Sequence, residues 1–128
     1  MNRRISTLSP TEDRLQMNNK VVLMPFPFDD LTQTKVRPAV CLTDVIQPHD
    51  HVVLAFVTSA VPTNPSTTDL IIASGDADFI QTGLKVSSAI RLHRLVTVSK
   101  SLVKRNLGSL SAAQRAKVDQ RLRILFNL

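Results

Sequence analysis

The chain has no tryptophan, no tyrosine, one cysteine and three glycines among its 128 residues. With five phenylalanines as its only aromatic residues, an aromatic platform for stacking bases would be thin. The lone Cys41 excludes an internal disulfide and a cysteine-based zinc cluster. No apolar run approaches the roughly 20 residues needed to span a bilayer. Arg3 and Arg4 are not followed by an apolar stretch, so no secretory signal is expected and the cytoplasm is the expected location. The chain also lacks a G-x-S-x-G elbow, a P-loop and a G-x-G-x-x-G turn, which removes the warrant for serine-hydrolase, NTPase or dinucleotide chemistry. Its single glutamate, Glu12, lies in a polar N-terminal stretch, and no acidic–lysine nuclease pattern is visible.

Hydrophobic residues make up 43% and charged residues 20%, the balance of one compact globular domain. The net charge is +6, and it is unevenly placed: residues 29–78 carry two basic and seven acidic groups, whereas residues 79–128 carry ten basic and one acidic. A basic C-terminal half suits a polyanion such as nucleic acid, or simply a solvated surface.

Residues 1–19 are polar and without sustained periodicity, which predicts a flexible tail with a helical turn near Thr11–Leu15 and a domain over 20–128. The apolar run Val21–Met24 predicts a buried strand stopped by Pro25 and Pro27, which cannot donate ladder hydrogen bonds. Asp29–Val36 is a polar loop, a candidate lid. Strands follow at Pro38–Thr43, Val52–Ser59, Asp69–Ala73 and Ala89–Leu95, extended by Val96–Val98. Val52–Ser59 is apolar on both faces and is expected in the middle of a sheet. A helical turn at Ser99–Arg105 and an extended piece at Leu107–Leu110 lead to the terminal helix. Ser111-Ala-Ala-Gln114 has the form of a capping box, and Val118, Leu122, Leu125 and Phe126 form its apolar stripe, with Ile124 off it. Short strands, Pro/Gly turns and one terminal helix make a mainly β (α+β) domain, a strongly bent sheet or partial barrel.

Several side chains are candidates for chemistry. Arg37, braced by Pro38 at a strand entry, is either a guanidinium aimed at phosphate or an ordinary surface arginine. Thr58 and Ser59 end a buried strand, where hydroxyls either meet a phosphoryl oxygen or bond nearby backbone. Arg91 and His93 share a strand face about 6–7 Å apart, a spacing that suits phosphoryl-transfer chemistry or a solvated face. Lys35 and Lys85 qualify as phosphate contacts on charge alone. His49-Asp50-His51, Asp29-Asp30 and Asp76-x-Asp78 read as turns rather than metal sites, and Cys41 as a buried structural thiol. No metal and no cofactor are expected.

Three segments together resemble the MazF/PemK/Kid family of toxin endoribonucleases: Val21-Val-Leu-Met-Pro-Phe-Pro-Phe-Asp-Asp with Lys35-Val-Arg-Pro-Ala-Val-Cys-Leu; Val52-Val-Leu-Ala-Phe-Val-Thr-Ser59; and Thr82-Gly-Leu through Ile90-Arg-Leu and Leu95-Val-Thr-Val to Leu107-Gly-Ser-Leu-Ser111. The resemblance covers roughly residues 20–126. It implies an SH3-like small β-barrel with a C-terminal helix and short helical turns, acting as a homodimer with no membrane association. It implies metal-independent, sequence-specific cleavage of single-stranded RNA, usually mRNA, and a cognate antitoxin whose C-terminal segment fills the RNA groove. Arg37 matches the family's arginine before proline, Thr58 its strand-end threonine with Ser59 beside it, and Arg91 its later arginine. Two residues after the later arginine, where members often carry Asp, this chain has His93: the resemblance implies either that His93 replaces the Asp as acid/base or that Arg37 and Thr58 do the chemistry without it. Catalysis is thus expected from Arg37, Thr58 and His93, and RNA binding from Ser59, Arg91, Lys35 and Lys85. A second reading, by likeness to the related CcdB toxins, is inhibition of DNA gyrase without RNA cleavage. A third is a degenerate homologue that only binds its antitoxin.

Overall fold

A computed structural model describes residues 14–25 and 35–128. Most of the expected lid and most of the N-terminal stretch, including much of the turn near Thr11–Leu15, lie outside the described residues. Six strands form one antiparallel sheet: β1 Lys20–Pro25, β2 Val36–Cys41, β3 His51–Thr58, β4 Asp69–Ile72, β5 Ser88–Ser99 and β6 Arg105–Ser109. Their spatial order is β4-β5-β3-β2-β1-β6, so β3 is interior, as its two apolar faces require.

The sheet curls into a half-barrel, and a bulge in β5 contributes to the bend. Ala55 pairs with Leu95, but the next β3 residue, Phe56, pairs with Arg91. Leu92, His93 and Arg94 are therefore extra, and such an insertion bends a strand and strengthens its twist. Leu92 keeps its backbone satisfied by donating to the Thr68 carbonyl at 3.0 Å, while its side chain is fully buried.

Alternation along the strands gives the sheet two apolar faces and two cores. Val21, Val40, Val57, Ile72 and Ile90 face one way, under Val118 of the terminal helix α1 (Ala112–Phe126). Val22, Met24, Cys41, Val52 and Leu54 face the other way, where Met17 and Val45 cover them. The segment before β1 is thus docked on the sheet: the Asp44 carboxylate accepts from the amides of Met17 and Asn18, and the Leu15 carbonyl accepts from Val45.

The capping box of α1 is present, with the Ser111 hydroxyl accepting from the Gln114 amide and the Gln114 side chain accepting from the Ser111 N–H. The Ser111 hydroxyl also donates to Asp78 at 2.6 Å, and the Gln114 side-chain amide donates to the Asp78 carbonyl at 3.2 Å. Asp78 is therefore an anchor for the helix start rather than a solvated turn acid. The expected stripe holds for Val118, Leu122 and Leu125, whereas Phe126 is exposed. At 100° per residue Phe126 lies well round from Val118, and the helix packs mainly through its first half.

A short 3₁₀ turn, Ile80–Thr82, precedes Gly83. Gly83 takes φ +75°, and a Cβ there would stand 2.0 Å from the Leu107 carbonyl oxygen; a Cβ on Gly108 would stand 2.2 Å from that of Gln81. The two glycines let this turn lie directly on β6. That contact sets the path of Leu84–Val86, which runs as an irregular segment and not as a strand.

Candidate functional site

An open cleft of about 300 Å³ lies where the ends of β2 and β3 meet the Leu84–Val86 segment and β6. Its floor is aliphatic, made by Leu23, Pro38, Val57, Leu84 and Leu107. Its polar rim is Arg37, Thr58, Ser59, Lys85, Ser88 and Arg105. Among the described residues the lining holds three cations and no carboxylate, so it favours an anion.

The sheet register brings the two central side chains together. Ala39 pairs with Phe56, and carrying that antiparallel register on by two residues sets Arg37 level with Thr58. Side chains directly opposed on neighbouring strands share a face with Cβ atoms about 4.5–5.5 Å apart. Arg37 is half-buried and its backbone is held by β1: it pairs with fully buried Met24, and the next residue, Pro38, pairs with Leu23. The Thr58 hydroxyl accepts from the Ala60 amide at 3.1 Å. That bond uses a lone pair and leaves the hydroxyl hydrogen available for donation. The Ser88 hydroxyl donates to the Val86 carbonyl at 2.8 Å, holding the cleft wall in shape.

Of the residues singled out in the sequence, Arg37, Thr58, Ser59 and Lys85 line this cleft. Lys35 is exposed on the approach to β2 and is not among the lining residues. Arg91 and His93 do point to one face together, but they meet Asp69 rather than the cleft lining. Arg91 Nε donates to Asp69 Oδ1 at 3.0 Å, and His93 Nδ1 stands 3.3 Å from the Thr68 hydroxyl and 3.9 Å from Asp69 Oδ1. Burial works against ionisation of Asp69, but hydrogen bonds from Ser66 and the adjacent Arg91 outweigh it and hold the carboxyl below its usual range. Beside this cluster Arg94 lies over the Phe56 ring, 5.0 Å from its centroid.

Arg105 escaped the reading of the sequence. A helical turn was expected over Ser99–Arg105, but the turn ends at Leu102 and Arg105 instead opens β6, where it and Leu107 both line the cleft. Asp29 and Asp30 lie outside the described residues. The His49 and His51 rings stack 5.5 Å apart, and among the described residues no group of three or more His, Cys, Asp or Glu is placed to hold a metal ion. Cys41 is buried, and that burial pushes its thiol up to about 12.

A curled six-stranded antiparallel sheet with one terminal helix and a cleft lined by Arg37, Lys85 and Arg105 defines the class of small, mainly β protein. A family model described as PemK-like, MazF-like toxin of type II toxin–antitoxin system matches residues 18–126, and the chain belongs to that family. Among solved structures, Mycobacterium tuberculosis toxin MazF-mt6 is 22% identical, with 85% of this chain and 97% of that one covered and a TM-score of 0.65. An endoribonuclease in complex with its cognate antitoxin, from a mycobacterial species, is 14% identical over 88% and 96% of the two chains, with a TM-score of 0.66. MazF from Deinococcus radiodurans is 18% identical over 89% and 98%, with a TM-score of 0.64. These likenesses are of fold. No curated protein matches the chain. Among the described residues no helix is long and apolar enough to cross a membrane.

Proposed function

We propose that this toxin is a metal-independent endoribonuclease that cleaves single-stranded RNA by attack of a ribose 2′-hydroxyl on its own 3′-phosphate. The observation that carries the reading is the convergence of Arg37 and Thr58, from neighbouring strands, on one cation-rich cleft. The nucleophile is intramolecular, so the protein's task is to hold the phosphate and stabilise the charge that grows on it. The P–O2′ bond forms, the P–O5′ bond breaks, the 2′-hydroxyl proton is lost and the 5′-oxygen gains one. The products are a 2′,3′-cyclic phosphate and a 5′-hydroxyl. Arg37 places N–H donors on the non-bridging oxygens and Thr58 adds a hydroxyl donor. Arg37 and Thr58 supply the charge stabilisation, and water in the open cleft takes the 2′ proton and returns one to the leaving 5′-oxygen. His93 acts through the Thr68–Asp69–Arg91 cluster as a positioning residue.

The family and the antitoxin-bound relative support two partners: a second copy of the chain in a homodimer, and a cognate antitoxin that covers the cleft. The test is cleavage of RNA in EDTA by wild type, Arg37→Ala and Thr58→Ala. Wild type should cut RNA and leave DNA, which lacks the nucleophile, intact; both variants should lose activity. Undiminished cleavage by both variants overturns the site, and a requirement for Mg²⁺ overturns the mechanism.

A further inference from the structure

We infer that Arg105 forms a second phosphate subsite on the far side of the cleft from Arg37, holding a phosphate next to the one cleaved. The inference rests on the RNA-cleaving reading and adds to it the path of the substrate backbone. Leu23 of β1 pairs with Pro38 on one side and with Arg105 on the other. Arg105 therefore lies two inter-strand spacings from the β2 end that carries Arg37, about 10 Å at the backbone. Leu23 and Pro38 form aliphatic floor between them. Two guanidinium groups set apart by an apolar strip address two phosphates of one chain, and the strip receives the sugar or base that joins them.

The electrostatics point the same way. Among the described residues the Arg105 side chain makes no hydrogen bond and no ion pair, and neither does that of Lys85 on the same rim. Elsewhere on the molecule several arginines are engaged: Arg91 with Asp69, Arg115 with Asp119 and Arg121 with Gln120. Like charges around a low-dielectric floor repel one another, and an anion placed between them relieves that repulsion. The edge position of β6 leaves Arg105 exposed, so its charge contributes to a ligand rather than to the fold.

The experiment measures binding of a labelled, mixed-sequence 2′-O-methyl RNA twelve residues long, which cannot be cleaved, to the full chain over a range of salt. Arg105→Ala should weaken binding about tenfold at low salt. It should also reduce the slope of log K against log salt by about 0.7, the contribution of one phosphate contact on a single strand. Arg105→Lys should recover the slope and part of the affinity. Lys117→Ala, which removes one charge from the exposed helix surface, should leave both unchanged. Equal affinity and slope for wild type and Arg105→Ala overturn the subsite, as does an equal loss in Lys117→Ala, which would reduce the effect to net charge. RNA cleavage by wild type and Arg37→Ala is followed in parallel. A wild type that binds the probe with the expected Arg105 dependence but cuts no RNA overturns the nuclease reading and leaves the subsite supported.

Discussion

Asp69 and Arg91 face each other across β4 and β5, with Nε and Oδ1 3.0 Å apart and the carboxylate side chain only 1% exposed. The Asp69 carboxylate also accepts from the Ser66 amide at 2.9 Å, and the Arg121 Nε donates to its backbone carbonyl at 3.5 Å. One buried acid thus ties the edge strand, the loop before it and the helix together. Removing it takes away the charged partner of Arg91 and the acceptor of the Ser66 amide, and Asp69→Ala should cost about 2 kcal/mol, read from chemical unfolding at neutral pH.

The same acid sets a pH dependence. The folded-state value of Asp69 lies below the unfolded one, so its contribution is fully present above the ordinary carboxylate value of about 3.9. It is lost as pH falls through the lower folded value. Unfolding midpoints between about pH 7 and pH 3 should therefore fall less steeply at the acid end for Asp69→Asn than for wild type.

Thr58 should act through its hydroxyl and not its shape. Thr58→Ser is expected to keep most activity, and Thr58→Val to lose about 100-fold in kcat, with little change in thermal stability. Formation of the 2′,3′-cyclic phosphate is the measurement. Equal rates for the serine and valine variants would remove the hydroxyl from the chemistry.

His93 supplies a separate check. If it positions rather than exchanges protons, His93→Ala lowers kcat only a few-fold, about 1 kcal/mol. The pH–rate profiles of that variant and of wild type should then have the same shape. A bell-shaped wild-type profile flattened in His93→Ala would make the histidine the base.

The turn on β6 is intolerant of added volume. Gly83→Ala would drive a Cβ against the Leu107 carbonyl in a left-handed backbone conformation. It should destabilise by about 3 kcal/mol and lower activity at temperatures where the fold persists, because the displaced turn carries Leu84 and Lys85. Unfolding curves and cleavage rates measured on the same preparations test it.

Cys41 should be inert in the native protein. With its thiol pushed up to about 12 by burial, almost no thiolate exists at neutral pH. Iodoacetamide should label it only after unfolding, as mass spectrometry would show.

Most of the fold was legible in the sequence. Val21–Met24 and Val52–Ser59 showed as buried strands because apolar β-branched runs are a local signal, and Ser111–Gln114 showed as a helix start because capping acts over four residues. Their places at strand ends left Arg37 and Thr58 open between phosphate contacts and ordinary surface or turn residues, and the family resemblance singled them out. The roles of Asp69 and Asp78 were not legible: Asp69 reads as the first residue of a strand and Asp78 as a turn acid, and their partners Arg91 and Ser111 are distant in sequence. Arg105 was hidden for the same reason, since nothing near it in the chain marks it as the neighbour of Leu23.

The amino-acid order alone determined where the strands and the helix lie, which faces are apolar, and that positive charge gathers in the second half, since periodicity and composition are local properties. Only the tertiary structure decided which cations serve the cleft. The three-residue bulge in β5 accompanies the turn of Arg91 and His93 toward Asp69, while the pairing of β6 with β1 carries Arg105 toward Arg37. The destination of a charged side chain depends on strand register and on the distant partner that it meets, and both are settled when the sheet closes.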